Sequence, residues 1–249
     1  MGKVYLLGAG PGDPELLTIK GLRILREADV ILYDRLVSPE ILALANPAAL
    51  LIHTGKRHGH QEEIQNEINA LMVQHAVIPG KTVVRLKGGD PMVFGRGAEE
   101  WALLAAHGIE VELVPGVSSA IAVPALAGIP VTCRGVAASF AVITGHNQKS
   151  ETPDWVKFRM VDTLVILMGV ESRVRIATEL IALGRPSTEP VAYIERGSTD
   201  RERVVTATLA EVARGEVEVE SPAVCVIGEV VRLRSKLFNK AIVEVAVAC

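Results

Sequence analysis

The chain has 249 residues, of which 49% are hydrophobic and 22% are charged, and its formal net charge is −3 at pH 7. This composition is that of a globular protein with a substantial core, and it provides no basic surface for DNA or RNA. Aromatic residues make up only 4% and no apolar run reaches the roughly 18 residues that a membrane span requires, which argues against single-stranded nucleic acid and membranes as partners.

The first predicted strand, Val4–Leu7, ends in a glycine-rich loop, and a helix is predicted from about Glu15 to Glu27. This order is typical of dinucleotide-binding folds, but their fingerprint requires the spacing G-x-G-x-x-G. The glycines here follow G-x-G-x-G, Pro11 removes a backbone donor, and Asp13 places a negative charge where a pyrophosphate would bind. The loop therefore disfavours dinucleotide binding.

Strands and helices keep alternating through the first half of the chain. Further strands are predicted at Val30–Tyr33, Leu50–His53, Val83–Leu86 and Val111–Val114, with helices at Glu62–Ala76 and about Ala98–His107. This alternation predicts a mostly parallel sheet that is covered by helices on both faces.

The second half has a denser strand pattern. Strands are predicted at Ser139–Thr144, Thr163–Met168, Val191–Ile194, Arg203–Thr208 and Ala223–Ile227, with one clear helix at about Ser172–Leu183. Dense strands with few helices predict a mixed or largely antiparallel sheet. We therefore predict an α/β protein with two α/β domains, at 1–114 and 120–249, a hinge at about 112–120 and a ligand cleft between the domains.

The most informative stretch is 82–100, TVVRLKGGDPMVFGRGAEE, in which a buried strand ends at a Gly-Gly-Asp-Pro loop and a helix begins just beyond. Glycines let backbone groups approach a ligand, and ligands of open α/β sheets bind at the carboxyl ends of strands. Comparable clusters end seven predicted strands: GAGPGD, YDR, TGKR, KGGDP, VPGVSS, LMG and IERGS. We therefore expect a binding site that is assembled from both domains.

Together these motifs resemble the tetrapyrrole methylases, a class of S-adenosylmethionine-dependent methyltransferases with a non-Rossmann fold. GAGPGDPELLT at 8–18, VRLKGGDPMVFGRGAEE at 84–100 and VPGVSSA at 114–120 carry the resemblance, which covers nearly the whole chain. VILYDRLVS at 30–38 and TGKRHGH at 54–60 point to the branch that acts on uroporphyrinogen III. The resemblance implies methylation at C2 and C7 to give precorrin-2, with S-adenosyl-L-homocysteine as by-product, for sirohaem and cobalamin biosynthesis. It also implies a homodimer.

The same resemblance implies a set of cofactor contacts in both domains. They fall on Pro11, Gly88, Gly89, Asp90, Val93, Ser118, Ser119, Met168, Gly197 and Ala223. A sulfonium with an amino-acid tail requires carbonyl or carboxylate groups near the cation and donors for its carboxylate, and the adaptable thioether of Met168 suits the wall of an adenine pocket.

Transfer of a methyl group from a sulfonium to a pyrrole carbon requires alignment of the reactants and a base that removes a proton afterwards. By resemblance, Asp34 accepts this proton and Lys56 donates one. Arg96, which Glu99 can hold from one helical turn away, is a rival or partner in proton handling. We favour an orienting role for Arg96, because a guanidinium is a poor base. From the residues alone, Asp34 with Arg35 could be a surface ion pair and Lys56 a solvated lysine.

Uroporphyrinogen carries eight carboxylates, which arginine binds in a bidentate manner. Arg35, Arg57, Arg96 and Arg134 are the candidates for this recognition, although Arg57 could equally be an ordinary surface residue. Related sequences often have T-H-R where this chain has Thr132-Cys133-Arg134, so we expect carboxylate recognition by Arg134 to survive without a histidine.

The cysteines and the N-terminal sequence pattern indicate the cellular compartment of the protein. Cys133, Cys225 and Cys249 are odd in number and widely spaced, which favours neither a disulfide framework nor a metal site. The chain starts directly with a strand-like pattern and has no signal-peptide anatomy, so we expect a cytoplasmic protein. Some relatives carry a fused domain for NAD-dependent oxidation and iron insertion, and we expect those activities to lie elsewhere.

Two alternatives to this function remain open from the sequence. One is another tetrapyrrole methylase, such as a cobalt-precorrin methyltransferase or a diphthine synthase. The other is a non-catalytic sensor that binds a nucleotide or a tetrapyrrole, which would need the binding loops but not Asp34, Lys56 and Arg96 together.

Overall fold

The computed structural model describes residues 2–55, 61–145 and 153–238. The chain divides into two compact units, Met1–Ser119 and Ala120–Cys249. Each unit contains one five-stranded sheet.

The sheet of the first unit is parallel throughout, as the alternation of strands and helices predicts. Its strands lie in the order β3-β2-β4-β1-β5, and every neighbouring pair is parallel. The strands are β1 (Lys3–Gly8), β2 (Val30–Tyr33), β3 (Leu50–His53), β4 (Thr82–Lys87) and β5 (Glu110–Val114), and the helices are α1 (Ile19–Glu27), α2 (Pro39–Leu42), α3 (Gln61–Ala76) and α4 (Gly97–Ala106).

The apolar core of this unit lies on both faces of the sheet, because successive strand residues point to opposite faces. Leu6 of β1 packs in one cluster with Met72 of α3 and Leu104 of α4. Leu7 packs in the other cluster with Ile24 and its neighbours on α1. Helices therefore cover both faces of this sheet.

The first helix differs from its predicted bounds. A short helical turn at Pro14–Leu16 is capped by Asp13, whose Oδ1 accepts a hydrogen bond from Glu15 N, and α1 begins only at Ile19. Thr18 is the N-cap of α1 and accepts a hydrogen bond from Gly21 N at 3.0 Å. Side chains that cap at both positions interrupt what periodicity alone predicts as one continuous helix.

The sheet of the second unit is mixed, as the strand density predicts. Its order is β6-β7-β10-β8-β9, with β6 and β7 parallel and the other three pairs antiparallel. The elements are α5 (Ser119–Leu126), β6 (Phe140–Thr144), β7 (Thr163–Leu167), α6 (Arg173–Ala182), β8 (Pro190–Glu195), β9 (Arg203–Thr208), α7 (Leu209–Ala213), β10 (Ala223–Ile227) and α8 (Leu233–Phe238). None of the helices in the described ranges is both long and apolar enough to cross a bilayer.

Strand order determines which loops lie together at one edge of each sheet. In the first unit β1 and β4 are neighbours, and their connections leave in opposite directions, β1 towards β2 and β4 towards β5. In open α/β sheets, ligands bind outside the carboxyl ends of the strands at such a switch point. In the second unit β7 and β8 are both antiparallel to β10, so their carboxyl ends meet the start of β10 at one edge.

Candidate active site

Three glycines bring the loops after β1, β4 and β5 into direct backbone contact at the switch point. A Cβ on Gly116 would lie 2.2 Å from the carbonyl oxygen of Gly89 and 2.7 Å from Cα of Gly8. Gly10 and Gly89 exchange two backbone hydrogen bonds, of 2.7 and 3.2 Å, which join the first two loops. Gly10 and Gly89 have positive φ angles of 77° and 69°, a conformation that glycine adopts without strain. These glycines therefore form a surface on which backbone groups, and no side chains, are presented.

The carboxylate of Asp90 holds this arrangement together. Its Oδ2 accepts a hydrogen bond from Gly116 N at 3.0 Å, and its Oδ1 accepts one from Met92 N at 2.8 Å. Asp90 thus joins the loop after β4 to the loop after β5, and any ligand contact of this segment falls chiefly to its backbone.

Asp34, at the end of β2, belongs to a network of charged side chains. Nη2 of the buried Arg85 side chain donates a 2.5 Å hydrogen bond to Asp34 Oδ1. Thr54 Oγ1 donates to the same oxygen at 3.4 Å. No described residue donates to Oδ2, and the Asp34 side chain is 31% exposed. Asp34 therefore pairs with Arg85 rather than with its sequence neighbour Arg35, which is exposed.

Arg85 and Lys87 of β4 share a third partner, Glu100 of α4. Arg85 Nε and Lys87 Nζ lie 3.1 and 3.0 Å from Glu100 Oε1, and all three side chains are at most 4% exposed. Burial lowers the pKa of Lys87, and the charge of Arg85 lowers it further against the opposing effect of Glu100.

Arg85 and Glu100 are absent from the set of functional residues that the sequence predicts. The sequence pattern that could have revealed them is the pair of charged residues Arg85 and Lys87 in an otherwise apolar strand. Because they are two residues apart, their side chains point to the same face of the sheet. Buried lysine and arginine are rare unless they are paired, so this spacing also predicts a buried acidic partner.

Arg96 and Glu99 interact as their spacing predicts. Arg96 Nε and Nη2 donate to Glu99 Oε2 at 3.0 and 2.6 Å, and this pairing lowers the pKa of the Glu99 carboxyl below its usual range.

Arg96 has a positive φ of 58° and immediately precedes α4. Phe94, two residues earlier, has a φ of 53° and a side chain that is 45% exposed. A non-glycine residue in this region of φ is uncommon, and two within three residues mark a constrained loop.

In the second unit, Met168, Gly197 and Ala223 lie at the edge where β7 and β8 end and β10 begins. Met168 follows β7, is 56% exposed and has a φ of 55°. Ala223 pairs with Glu195, the last residue of β8. A Cβ on Gly197 would lie 2.3 Å from Cγ1 of Val123 on α5, so this position has no room for a side chain. The strand ends thus bring together three residues that are distant in sequence.

The remaining predicted residues lie as follows. Pro11 is half-buried beside the joined glycines, Val93 is exposed in the loop after β4, Ser118 and Ser119 lie where α5 begins, and Arg134 is exposed in the turn between Cys133 and Ala137. Lys56 and Arg57 lie outside the described residues. Within the described ranges, no group of three or more His, Cys, Asp or Glu side chains could hold a metal ion.

The order of the first sheet, 3-2-4-1-5, differs from the Rossmann order 3-2-1-4-5 by the exchange of two central strands. The fold and its glycine-lined edge thus define a two-unit α/β protein of a non-Rossmann class. Residues 3–213 match the family described as Tetrapyrrole (Corrin/Porphyrin) Methylases, and the chain belongs to that family.

Individual relatives are similar over most of this chain. It is 50% identical to the uroporphyrinogen-III C-methyltransferase of Methanocaldococcus jannaschii, over 93% of this chain and 98% of the relative. It is 49% identical to siroheme synthase 2 of Aeromonas hydrophila, over 95% of this chain but only 51% of that protein, so the chain spans about half the length of this relative. A crystal structure of uroporphyrin-III C-methyl transferase from Thermus thermophilus complexed with S-adenyl homocysteine superposes with a TM-score of 0.83 and 52% identity, over 93% of this chain and 94% of that one.

Proposed function

We propose that this protein is an S-adenosyl-L-methionine-dependent methyltransferase that methylates uroporphyrinogen III at C2 and C7 to give precorrin-2. The observation that carries the proposal is the Asp34 carboxylate, in the same unit as the backbone surface of joined glycines: Arg85 donates a hydrogen bond to its Oδ1, and no described residue donates one to its Oδ2. The similarity to named uroporphyrinogen-III C-methyltransferases over nearly their full length supports the same activity.

The bare backbone of the first unit suits the methyl donor. A Cβ on Gly8 or Gly116 would clash with backbone atoms of the adjacent loops, and Gly89 has a positive φ of 69°, so these positions present backbone groups to a ligand. We assign the donor's contacts in this unit to Pro11, Gly88, Gly89, Asp90, Val93, Ser118 and Ser119. In the second unit we assign them to Met168, Gly197 and Ala223, because the exposed thioether of Met168 is an apolar, adaptable surface for adenine.

S-adenosyl-L-methionine, when bound, supplies an electrophilic methyl group on a sulfonium sulfur. The protein's part is to align the pyrrole carbon with that methyl group, and such alignment can lower a barrier by about 7–11 kcal/mol. As the carbon–carbon bond forms, the sulfur keeps the electron pair of the broken bond and the substrate becomes positively charged. Asp34 Oδ2 then accepts the proton that the substrate loses, while Arg85 keeps the carboxylate oriented.

The substrate's carboxylates require cationic partners. Arg35 and Arg134 are exposed in the structure and Arg96 is partly exposed, so all three are available to an anionic ligand. Glu99 holds Arg96 through two hydrogen bonds, which supports the orienting role over a role as base. Lys56 remains our proposed proton donor.

The direct test is turnover. The protein would be incubated without oxygen with S-adenosyl-L-methionine and enzymatically made uroporphyrinogen III. We expect two S-adenosyl-L-homocysteine molecules per tetrapyrrole and a product with the mass of the dimethylated compound. Absence of S-adenosyl-L-homocysteine above background would refute the proposed activity, and tight binding of the methyl donor without turnover would favour a sensor.

Asp90→Ala is expected to weaken S-adenosyl-L-homocysteine binding, since it removes the acceptor of Gly116 N and Met92 N and releases the glycine loops. The hydrogen bond to Gly116 N is partly buried, and a hydrogen bond to a charged group contributes about 1.5–3 kcal/mol, so we expect the affinity to fall by roughly 10- to 150-fold. Isothermal titration calorimetry with S-adenosyl-L-homocysteine measures the change.

Arg134→Ala tests substrate binding in the way that Asp90→Ala tests binding of the methyl donor. We expect it to raise KM for uroporphyrinogen III by about tenfold or more, because a charged hydrogen bond contributes roughly 1.5–3 kcal/mol, and to leave S-adenosyl-L-homocysteine affinity unchanged. Equal losses of S-adenosyl-L-homocysteine affinity in Asp90→Ala and Arg134→Ala would show that the two sets of residues are misassigned.

We also propose a cytoplasmic homodimer, on the basis of the family resemblance. Light scattering coupled to size-exclusion chromatography would give the mass in solution, and a monomer mass at micromolar concentration would contradict the dimer. Immunoblotting of cytoplasmic and membrane fractions would test the compartment.

A further inference from the structure

Glu100 is the most deeply buried of the charged side chains described in the first unit, and the proposed reaction gives it no role. It is the fourth residue of α4, and its side chain is 0% exposed. Glu99, the neighbour to which the sequence assigns a role, is 57% exposed and contacts Arg96 instead. The two adjacent glutamates of the motif therefore face different surroundings, and only Glu100 lies among the buried charges.

One oxygen of Glu100 receives every hydrogen bond that the described residues donate to this carboxylate. Oε1 accepts from Arg85 Nε at 3.1 Å, from Lys87 Nζ at 3.0 Å and from Gln65 Nε2 at 3.2 Å. Oε2 is buried and has no hydrogen-bond partner within the described part of the chain. A buried polar atom without a partner is destabilising, so the position of Glu100 is not the one that stability alone would favour.

Arg85 joins Glu100 to Asp34. Its guanidinium donates through Nε to Glu100 and through Nη2 to Asp34, and the group is planar and rigid, so a constraint at one end orients the other. Nη1 has only three long contacts of 3.4 Å, to Leu32 O, Leu86 O and Thr54 Oγ1. The two short, charged contacts therefore determine how the guanidinium meets Asp34.

A buried ion pair is weak grounds for a role in stability, because well-packed apolar residues of similar volume often stabilise a fold equally well. The chain offers an internal comparison. Arg185 and Glu189 form another buried pair, with hydrogen bonds of 2.7 and 2.5 Å, and Arg185 also donates to the carbonyl of Val161. That pair lies next to the start of β8, at the opposite end of the strand from Gly197, and it contacts no residue to which we assign a function.

We propose that Glu100 is a positioning residue for the reaction, holding the Asp34 carboxylate in place through the guanidinium of Arg85. The inference rests on the proposed function, in which Asp34 accepts the substrate's proton. Lys87 completes the arrangement by donating to the same Glu100 oxygen, so Glu100 balances two cations while Asp34 faces one of them.

The test compares Glu100→Gln with Glu189→Gln. Both variants remove the charge from a buried glutamate paired with arginine, so both are expected to lower the unfolding temperature. Only Glu100→Gln is expected to lower kcat, by about 10- to 100-fold, as misplacement of a catalytic group does. S-adenosyl-L-homocysteine affinity is expected to stay at the wild-type value in both. Equal kcat values in the two variants would overturn the inference.

The division of the effect between kcat and KM is a readout that a merely structural role would not move. Misplacement of the Asp34 carboxylate affects proton transfer after the substrate is bound, so Glu100→Gln is expected to lower kcat and kcat/KM by the same factor and to leave KM for uroporphyrinogen III at the wild-type value. A rise in KM with an unchanged kcat would contradict the positioning role.

If Glu100→Gln does not fold, Arg85→Lys provides the second measurement. A lysine keeps the positive charge but lacks the rigid fork that joins Glu100 to Asp34, so kcat is expected to fall while S-adenosyl-L-homocysteine still binds. If the wild-type protein is active and Arg85→Lys has the same kcat, the inference about Glu100 is overturned while the proposed function stands. No turnover by the wild-type protein would instead overturn the proposed function.

Discussion

Asp34→Asn is expected to lower kcat by about 10²- to 10⁴-fold, the usual contribution of a positioned general base. The amide keeps the volume of the carboxylate and can still accept the hydrogen bond from Arg85 Nη2, but it cannot take up the substrate's proton. Binding of S-adenosyl-L-homocysteine is expected to persist, because the joined glycine loops do not depend on this side chain. Single-turnover measurements of methyl transfer would report the chemical step.

Strand β2 supplies a matched control for this variant. Asp29 immediately precedes β2 and Asp34 immediately follows it, and their side chains are 36% and 31% exposed. Asp29 accepts hydrogen bonds from Thr82 N at 2.8 Å and Lys81 Nζ at 3.0 Å, at the amino end of the sheet. Asp29→Asn is therefore expected to reduce stability without changing kcat. Similar kcat losses in the two variants would mean that Asp34 acts only through the fold.

Hydrophobic periodicity and turn residues predict most of the local structure. The strands of both units, the parallel first sheet and the mixed second sheet follow from the alternation of apolar runs with glycine-rich ends. The Arg96–Glu99 contact also forms as the spacing predicts, although Arg96 precedes α4 in a left-handed conformation and does not lie on the helix surface. These features depend only on residues that are close in sequence.

Most of the features that the sequence does not predict depend on contacts between residues that are distant in the chain. Strand order decides that β1 and β4 are neighbours, and only this adjacency explains why a Cβ on Gly8 would lie 2.6 Å from the carbonyl oxygen of Gly89. Likewise, the rotation of α4 decides that Glu100 is buried while Glu99 is exposed, although both are glutamates in one motif. Capping by Thr18 delays the start of α1, a local effect that the apolar periodicity conceals.

The close backbone packing around Gly116 predicts a large effect of a substitution at this position. Gly116→Ala would add a Cβ that lies 2.2 Å from the carbonyl oxygen of Gly89 and 2.7 Å from Cα of Gly8. Both contacts are with backbone, so no side chain can rotate away and the loops after β1, β4 and β5 must separate. Overpacking of this kind costs about 1–3 kcal/mol or more. The same displacement would break the Asp90–Gly116 hydrogen bond.

Since the displaced loops are those assigned to the methyl donor, Gly116→Ala is expected to weaken S-adenosyl-L-homocysteine binding by roughly 5- to 150-fold, which corresponds to a cost of about 1–3 kcal/mol. Gly108→Ala is the control: it precedes β5, has a φ of 69° and has no atom within 4 Å of its added Cβ. Left-handed backbone costs an alanine about 1–2 kcal/mol, so this variant should lose stability but keep its affinity. Calorimetric titration and thermal unfolding of both variants separate the two effects. Wild-type affinity in Gly116→Ala would mean that the joined glycines serve the fold and not the methyl donor.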